Sequence, residues 1–246
     1  LAWQHALLWP GAAFHPWRRA SIRQLTADKN IHTGQRCFII GNGPSLKHMD
    51  ISKLKNEVTF GMNRIYLAFP EWGFQTTYFV SINDLVIEQC APDIRALPMP
   101  KYLSWHSRKH ISPTDDMAFL HTTYTGPKFS QDIRGRVWEG ATVTNIALQL
   151  AFHMGFKQVI LIGVDHNFIS QGTPNTTVVS QGDDADHFDT KYFGKGFRWQ
   201  LPDLETSEIA YTMANEAYNK AGREILDATV DGKLTIFPKV KYESLF

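Results

Sequence analysis

The chain is poor in the features that mark secreted, membrane-spanning or nucleic-acid-binding proteins. It has two cysteines in 246 residues, Cys37 and Cys90, too few for a disulfide framework or a zinc cluster. Cys37 falls in an apolar run and reads as a small core residue, so a reducing cytoplasm fits best. Charge of one sign is missing too: 25 Lys and Arg face 24 Asp and Glu, a formal net charge of +1. That argues against bulk electrostatic capture of nucleic acid and leaves room only for a local basic patch. No apolar run approaches the roughly 18 to 20 residues that cross a bilayer. No internal repeat and no low-complexity tract stands out. With 43% hydrophobic residues the chain can still bury an ordinary core. Its length suits one large α/β domain, or one domain with a long insertion.

The opening stretch, LAWQHALLWPGAAFHPWRR, has no basic segment ahead of its apolar part, so it is a poor signal peptide. We take residues 1–33 as a helical segment, with a short helix over 20–30, packed on its own domain. The same segment could rest on the inner face of a membrane or against a second copy of the chain.

Beyond it, short apolar runs recur at 37–40, 58–62, 77–82, 102–105, 159–162 and 224–226, and helical patterns at 85–96, 143–154 and 206–221. Strands alternating with helices predict a doubly wound, mostly parallel sheet, with ligands at the carboxyl ends of its strands. The clearest unit is ATVTNIALQLAFHMGFKQVILIGVD. Val143, Ile146, Ala147, Leu150, Ala151 and Met154 keep helical spacing, Gly155 is a natural stop, and a strand follows. Between 166 and 204 the pattern fails. A polar, aromatic-containing loop of about forty residues is uncommon inside a domain, and we read it as a lid that orders over substrate.

Three strand exits carry candidate chemistry. RCFIIGNGPSL runs from an apolar strand into a turn whose Gly41 and Gly43 permit close backbone approach. Main-chain N–H groups there could face an anion at a helix start, with Asn42 and Ser45 adding polar side chains. The pattern is neither Gly-x-Gly-x-x-Gly nor Walker A. Asn63 follows the second strand and Asn83 the third. Each alone is an ordinary turn former, but three amides at successive exits suit an uncharged base or sugar hydroxyls.

His166 lies beside Asp165 at a strand end, where a structural pairing of the two is an equal alternative. His187 lies in the lid. Either could take a proton from a hydroxyl near neutral pH, or hydrogen-bond a leaving phosphate. DDADHFD, residues 183–189, invites a metal reading, but its spacing fits neither an EF-hand nor a zinc site, and a solvated acidic loop is the simpler reading. Arg134, Arg136, Lys191, Lys195 and Arg198 could pair with a phosphate or act as surface charge. Trp138, Tyr192, Phe193, Phe197 and Trp199 could stack a sugar or pack the core.

FIIGNGPSLKHMDISKL, GMNRIYL, INDL and GFKQVILIGVD resemble, in order and spacing, the signature segments of bacterial sialyltransferases with a single Rossmann-like domain. They are closer still to the wider group of motility-associated-factor flagellin glycosyltransferases and the archaeal 6-hydroxymethylpterin pyrophosphokinase (MptE-like). The resemblance covers roughly residues 34–240, and it implies a Rossmann-like glycosyltransferase domain over 34–246 with a lid at about 166–204. It further implies that Asn42, Ser45 and Asn63 contact a CMP-sugar donor with Asn83 beside them, and that Thr142 lies near the donor's sugar or phosphate. The pterin enzymes carry an Ala-Asp-Gly-Ala-like stretch where this chain has Gly-Met-Asn-Arg. The sialyltransferase base is a histidine just before a late helix; here LPDLETSEIAY offers Asp203 and Glu205.

These expectations amount to a transferase that uses a nucleotide-activated sugar, most plausibly a CMP-linked sialic or nonulosonic acid, and a glycan or protein acceptor. Gly41, Asn42, Gly43, Ser45, Asn63, Asn83, Thr142 and Asp165 would bind the donor. His187, His166 or Asp203 would move the proton, with no metal or other cofactor required. A pterin pyrophosphokinase using ATP and magnesium, or a non-catalytic nucleotide- or glycan-binding protein, are the alternatives.

Overall fold

In the computed structural model, residues 14–170 and 172–246 are described. Helix α1 (Pro16–Ala27) leads into eight strands of one sheet: β1 (Arg36–Ile40), β2 (Thr59–Met62), β3 (Tyr78–Ser81), β4 (Lys101–Ser104), β5 (Met117–Thr123), β6 (Arg136–Trp138), β7 (Gln158–Ile162) and β10 (Glu224–Asp227). Their order is β10-β7-β1-β2-β3-β4-β5-β6, and every neighbouring pair is parallel. Helix α2 (Asp84–Ala96) joins β3 to β4, α3 (Val143–Met154) precedes β7, and α4 (Leu204–Lys220) precedes β10. β8 (Thr177–Val179) and β9 (Arg198–Gln200) form a small antiparallel hairpin outside the sheet. The doubly wound, parallel architecture expected from the alternating runs is what forms.

Both faces of the sheet are covered, which is why its central strands read as unbroken apolar runs. Cys37, Ile39, Val159 and Leu161 pack on one face with α3 and α4, and Phe38, Ile40, Ile160 and Ile162 on the other. Cys37 and Cys90 are free and buried. Helix α3 is buried on all sides, so its polar residues need partners. Gln149 and Asn145 donate to the Trp138 carbonyl at 3.0 and 3.1 Å, and His153 Nε2 meets the Leu25 carbonyl at 2.7 Å. α3 ends at Gly155, φ +93°, where the sequence pattern placed its stop.

Residues 1–13 of the N-terminal segment lie outside the described residues. The described part packs on the sheet: Ser21 Oγ accepts from Phe119 N at 2.8 Å, and the Arg18 guanidinium donates to the Phe119 carbonyl at 3.2 Å. The helix is thus joined to β5, and it begins four residues earlier than the expected 20–30.

β1 lies inside the sheet with β2 on one side and β7 on the other, so the connections leaving β1 and β7 run in opposite directions. A crevice opens where strand order reverses in this way. The exits of β1 and β7 touch there: a Cβ on Gly41 would lie 2.1 Å from the Gly163 oxygen.

Candidate functional site

A cleft of about 710 Å³ opens along the carboxyl ends of the strands. Gly41, Asn42 and Gly43 after β1, Asn63 after β2, Asn83 after β3, Glu139 after β6 and Asp165 after β7 all line it, with Thr142 from the start of α3. His166, His187 and Asp203 complete its far side. Of the residues expected to bind the donor or move the proton, Ser45 alone is absent from the lining; it is 6% exposed beneath Asp165.

The glycine turn departs from the expected anion cradle. Gly41 N donates to the Ile162 carbonyl at 2.7 Å, Gly43 N to the Gly163 carbonyl at 2.9 Å and Ser45 N to Asp165 Oδ1 at 3.1 Å. Ser45 Oγ donates to Asp165 Oδ2 at 2.8 Å. Those N–H groups are committed to the β7 exit, and the Asp165 carboxylate occupies the place expected for a ligand anion. Burial raises the Asp165 pKa, against the lowering effect of the Ser45 bonds. The segment after the turn is a five-residue 3-10 helix, Pro44–His48, rather than an α-helix start.

The asparagines serve in three different ways. Asn42 offers a buried Oδ1 with no hydrogen-bond partner, an acceptor that a ligand donor could satisfy. Asn63 sits in the left-handed region, φ +52°, which asparagine tolerates better than most residues. Its Oδ1 accepts from Ser81 Oγ at 3.0 Å, leaving the amide N–H groups to face outward. Asn83 caps α2, its Oδ1 accepting from Leu85 N and Val86 N at 3.0 and 3.2 Å.

Thr142 caps α3: its Oγ1 accepts from Thr144 N at 3.2 Å and lies 3.3 Å from the Tyr211 hydroxyl. Thr142, Val143 and Thr144 line the cleft, so the positive end of a twelve-residue helix points into it.

The lid is ordered. It is neither a structureless loop nor a solvated acidic one. Phe188 N donates to the Asn42 carbonyl at 2.8 Å and Arg64 N to the Tyr192 hydroxyl at 3.1 Å. Gln89 clamps Arg198 through two bonds of 2.8 Å. Asp186 is 7% exposed and accepts from Ile169 N at 2.6 Å. Asp184 holds His187 Nδ1 through both oxygens, at 2.9 and 2.8 Å. The His187 ring stacks on Tyr192 at 4.0 Å between centroids, with planes 5° apart. A carboxylate that fixes Nδ1 leaves Nε2 as the working nitrogen, the arrangement of a general base with its orienting acid.

His166 is paired otherwise than expected: its Nε2 meets Glu208 Oε1 at 2.8 Å, with no bond to Asp165. Asp203 is a helix cap. It accepts from Thr206 N and Thr206 Oγ1, both at 3.0 Å, and from Asn175 Nδ2 at 3.1 Å, so three of its roughly four acceptor sites are engaged. Among the described residues no group of three or more His, Cys, Asp or Glu is placed to hold a metal, and no helix is long and apolar enough to cross a membrane.

Among the described residues no lysine or arginine lines the cleft. Arg134 pairs with Asp132, and Arg198 with Glu88. Phe193 and Trp199 do reach it, stacked at 5.3 Å, while Tyr192 is buried beneath His187. Two functional candidates escaped the sequence reading. Asp184 appeared only as a candidate metal ligand or a solvated loop acid, not as a partner of His187. Glu139 went unnoticed because β6, a strand of three residues, was not recognised, and its exit position with it.

Among solved structures the chain is similar to the MAf glycosyltransferase from Magnetospirillum magneticum AMB-1, with a TM-score of 0.54 at 15% identity. The similarity covers 94% of this chain and 39% of that one, and at such identity it shows a shared fold. No curated protein sequence matches the chain. Residues 16–171 match the family described as 6-hydroxymethylpterin diphosphokinase MptE-like. That match runs from α1 through the exit of β7 and so takes in every exit of the eight-stranded sheet that lines the cleft: the chain belongs to the MptE-like family.

Proposed function

We propose that this chain is a glycosyltransferase whose donor is a nucleotide-linked sugar, with a CMP-linked acidic sugar as the best-fitting class. The observation that carries the reading is the cleft's lining: three strand-exit asparagines, a helix N-terminus and, among the described residues, no lysine or arginine. A triphosphate concentrates charge that enzymes meet with Lys, Arg and magnesium. A CMP-linked acidic sugar carries one charge on its phosphodiester and one on its sugar carboxylate, less concentrated than a triphosphate's, and a helix N-terminus with about half a positive charge offsets the first in part.

In this reading Asn42 and Asn63 hydrogen-bond the nucleoside, and the start of α3 receives the phosphate. Asn83 lies beside the nucleoside with its Nδ2 as donor. His187 Nε2 takes the proton of an acceptor hydroxyl. The acceptor oxygen attacks the anomeric carbon, and the bond from that carbon to the phosphate oxygen breaks. CMP departs with the electron pair, stabilised by the main-chain N–H of Val143 at the start of α3. The acceptor is a glycan or protein hydroxyl.

The family match supports a second reading, diphosphoryl transfer from ATP to a pterin alcohol. It would hold magnesium through one or two carboxylates and the phosphates, with Asp165 the carboxylate at the glycine turn.

Thermal shift with CMP, CDP and ATP, each with and without magnesium, separates the two. Stabilisation by CMP independent of magnesium is the expected result; a response to ATP and magnesium alone would defeat the glycosyl reading. Asn63→Ala removes an amide and places alanine at a left-handed φ. We expect about tenfold weaker CMP binding, the scale of one hydrogen bond, measured by calorimetry. Unchanged affinity would remove Asn63 from the donor site.

A further inference from the structure

Glu139 is a buried titratable group that the proposed reaction does not use. It lines the cleft, is 5% exposed, and its Oε1 has no hydrogen-bond partner. An unpaired buried acceptor is costly, about 1 to 3 kcal/mol, so its persistence calls for a reason.

The backbone prevents it from turning away. Glu139 N donates to the Thr123 carbonyl at 2.9 Å, while its own carbonyl accepts from Thr142 N at 3.3 Å and Asn145 Nδ2 at 3.4 Å. Gln149 and Asn145 hold the preceding carbonyl, that of Trp138. Two buried amides of α3 thus fix the backbone that carries this carboxyl, just ahead of that helix. Ile82, Val86 and Tyr124 line the same cleft, and apolar surface with a few placed polar groups is the form of a site for a flat heterocycle.

No cation neutralises this carboxyl among the described residues. Asp84 is near enough to repel it, and carries Lys109 at 2.7 Å and His110 at 3.3 Å on its own oxygens. His106 contacts the Thr122 carbonyl at 3.2 Å, and His121 precedes Thr122 on β5. The Tyr124 hydroxyl is pushed up by burial and then by the charges of Glu139 and Asp84. Burial pushes Glu139 itself up to about 7; the Thr122 hydroxyl draws it down and Asp84 adds to the rise.

We infer that Glu139, as a neutral carboxylic acid, reads the edge of the donor's nucleobase, donating its O–H to a ring nitrogen and accepting from the neighbouring amino group. Cytosine and adenine both present that pattern, and the CMP-linked donor proposed above selects cytosine. A protonated carboxyl is donor and acceptor side by side, whereas a carboxylate only accepts and would instead fit an edge with two N–H donors, such as guanine's. The inference rests on the nucleotide-donor reading. Its sign is fixed: binding requires the protonated acid, so affinity is level below pH 7 and falls above it, about tenfold per pH unit, as a proton must be taken up with the ligand.

Calorimetric titration of the full chain with CMP from pH 6 to 9 tests this. The native chain should show that profile. Glu139→Gln keeps an N–H beside a C=O at every pH, so it should bind CMP as tightly as the native chain at pH 6 and without the slope. Glu139→Ala should bind about tenfold more weakly at pH 6. Asp165, His166 and His187 remain in the glutamine variant, so loss of the slope there assigns it to Glu139. CMP binding that is flat with pH in the native chain, or sloped equally in Glu139→Gln, overturns the inference and leaves the donor site standing. Affinity that rises with pH and favours GMP also overturns it. If CMP binds at no pH to a folded chain, the nucleotide-donor reading itself fails.

Discussion

Gly41→Ala should unfold the chain at a markedly lower temperature and abolish CMP binding. The added Cβ would sit 2.1 Å from the Gly163 oxygen and 2.6 Å from its carbonyl carbon, both backbone atoms of the neighbouring strand exit. Neither can rotate aside, so β1 and β7 must separate where they cross the core. Overpacking of this kind costs about 3 kcal/mol, which for a chain of this size lowers Tm by roughly 6 to 12 °C. Gly135→Ala is the control: nothing lies within 4 Å of its added Cβ, and its Tm should be unchanged. A Gly41→Ala protein that melts with the native chain and binds CMP normally would show that the β1 and β7 exits are not in close contact.

His187→Ala should lower turnover by about 100- to 10,000-fold, the usual worth of a general base, with CMP affinity little changed. Release of CMP from a CMP-linked sugar provides the assay. The reason lies in the geometry of the lid: Asp184 grips Nδ1 through both oxygens and Tyr192 stacks beneath the ring, so Nε2 alone is left to work. Asp184→Asn keeps the stack and removes the charge that favours the imidazolium, so it should reduce turnover in the same direction. Two variants with full turnover would remove the pair from the chemistry. Equal loss of CMP affinity and turnover would make His187 a lid anchor.

Much of this site could be seen in the sequence, and the gaps have identifiable causes. The apolar runs that became β1, β2, β3 and β7 stand out because both faces of those strands are buried, and the helix from Val143 to Met154 was bounded correctly by its spacing and Gly155. β5 was hidden because its buried run ends in the polar residues His121, Thr122 and Thr123, of which the two threonines hydrogen-bond to Ser104 and Thr125, and β6 because three residues carry no period. Missing β6 meant missing Glu139. The glycine turn was read correctly as a strand exit and incorrectly as an anion cradle. No local pattern reveals that Asp165, 120 positions beyond Ser45, supplies the carboxylate. The lid's acids looked solvated for a similar reason: Asp184 and Asp186 find their partners through a fold-back that leaves no periodicity.

The account depends on the β1 to β3 exits and the start of α3 holding a single nucleotide between them. A crystal structure of the chain with CMP bound is the most direct measurement. The phosphate is expected at the N–H of Val143, the nucleoside against Asn42 and Asn63, and the base edge at Glu139. CMP located outside this cleft, or a cleft that takes up only ATP with magnesium on Asp165, would contradict it.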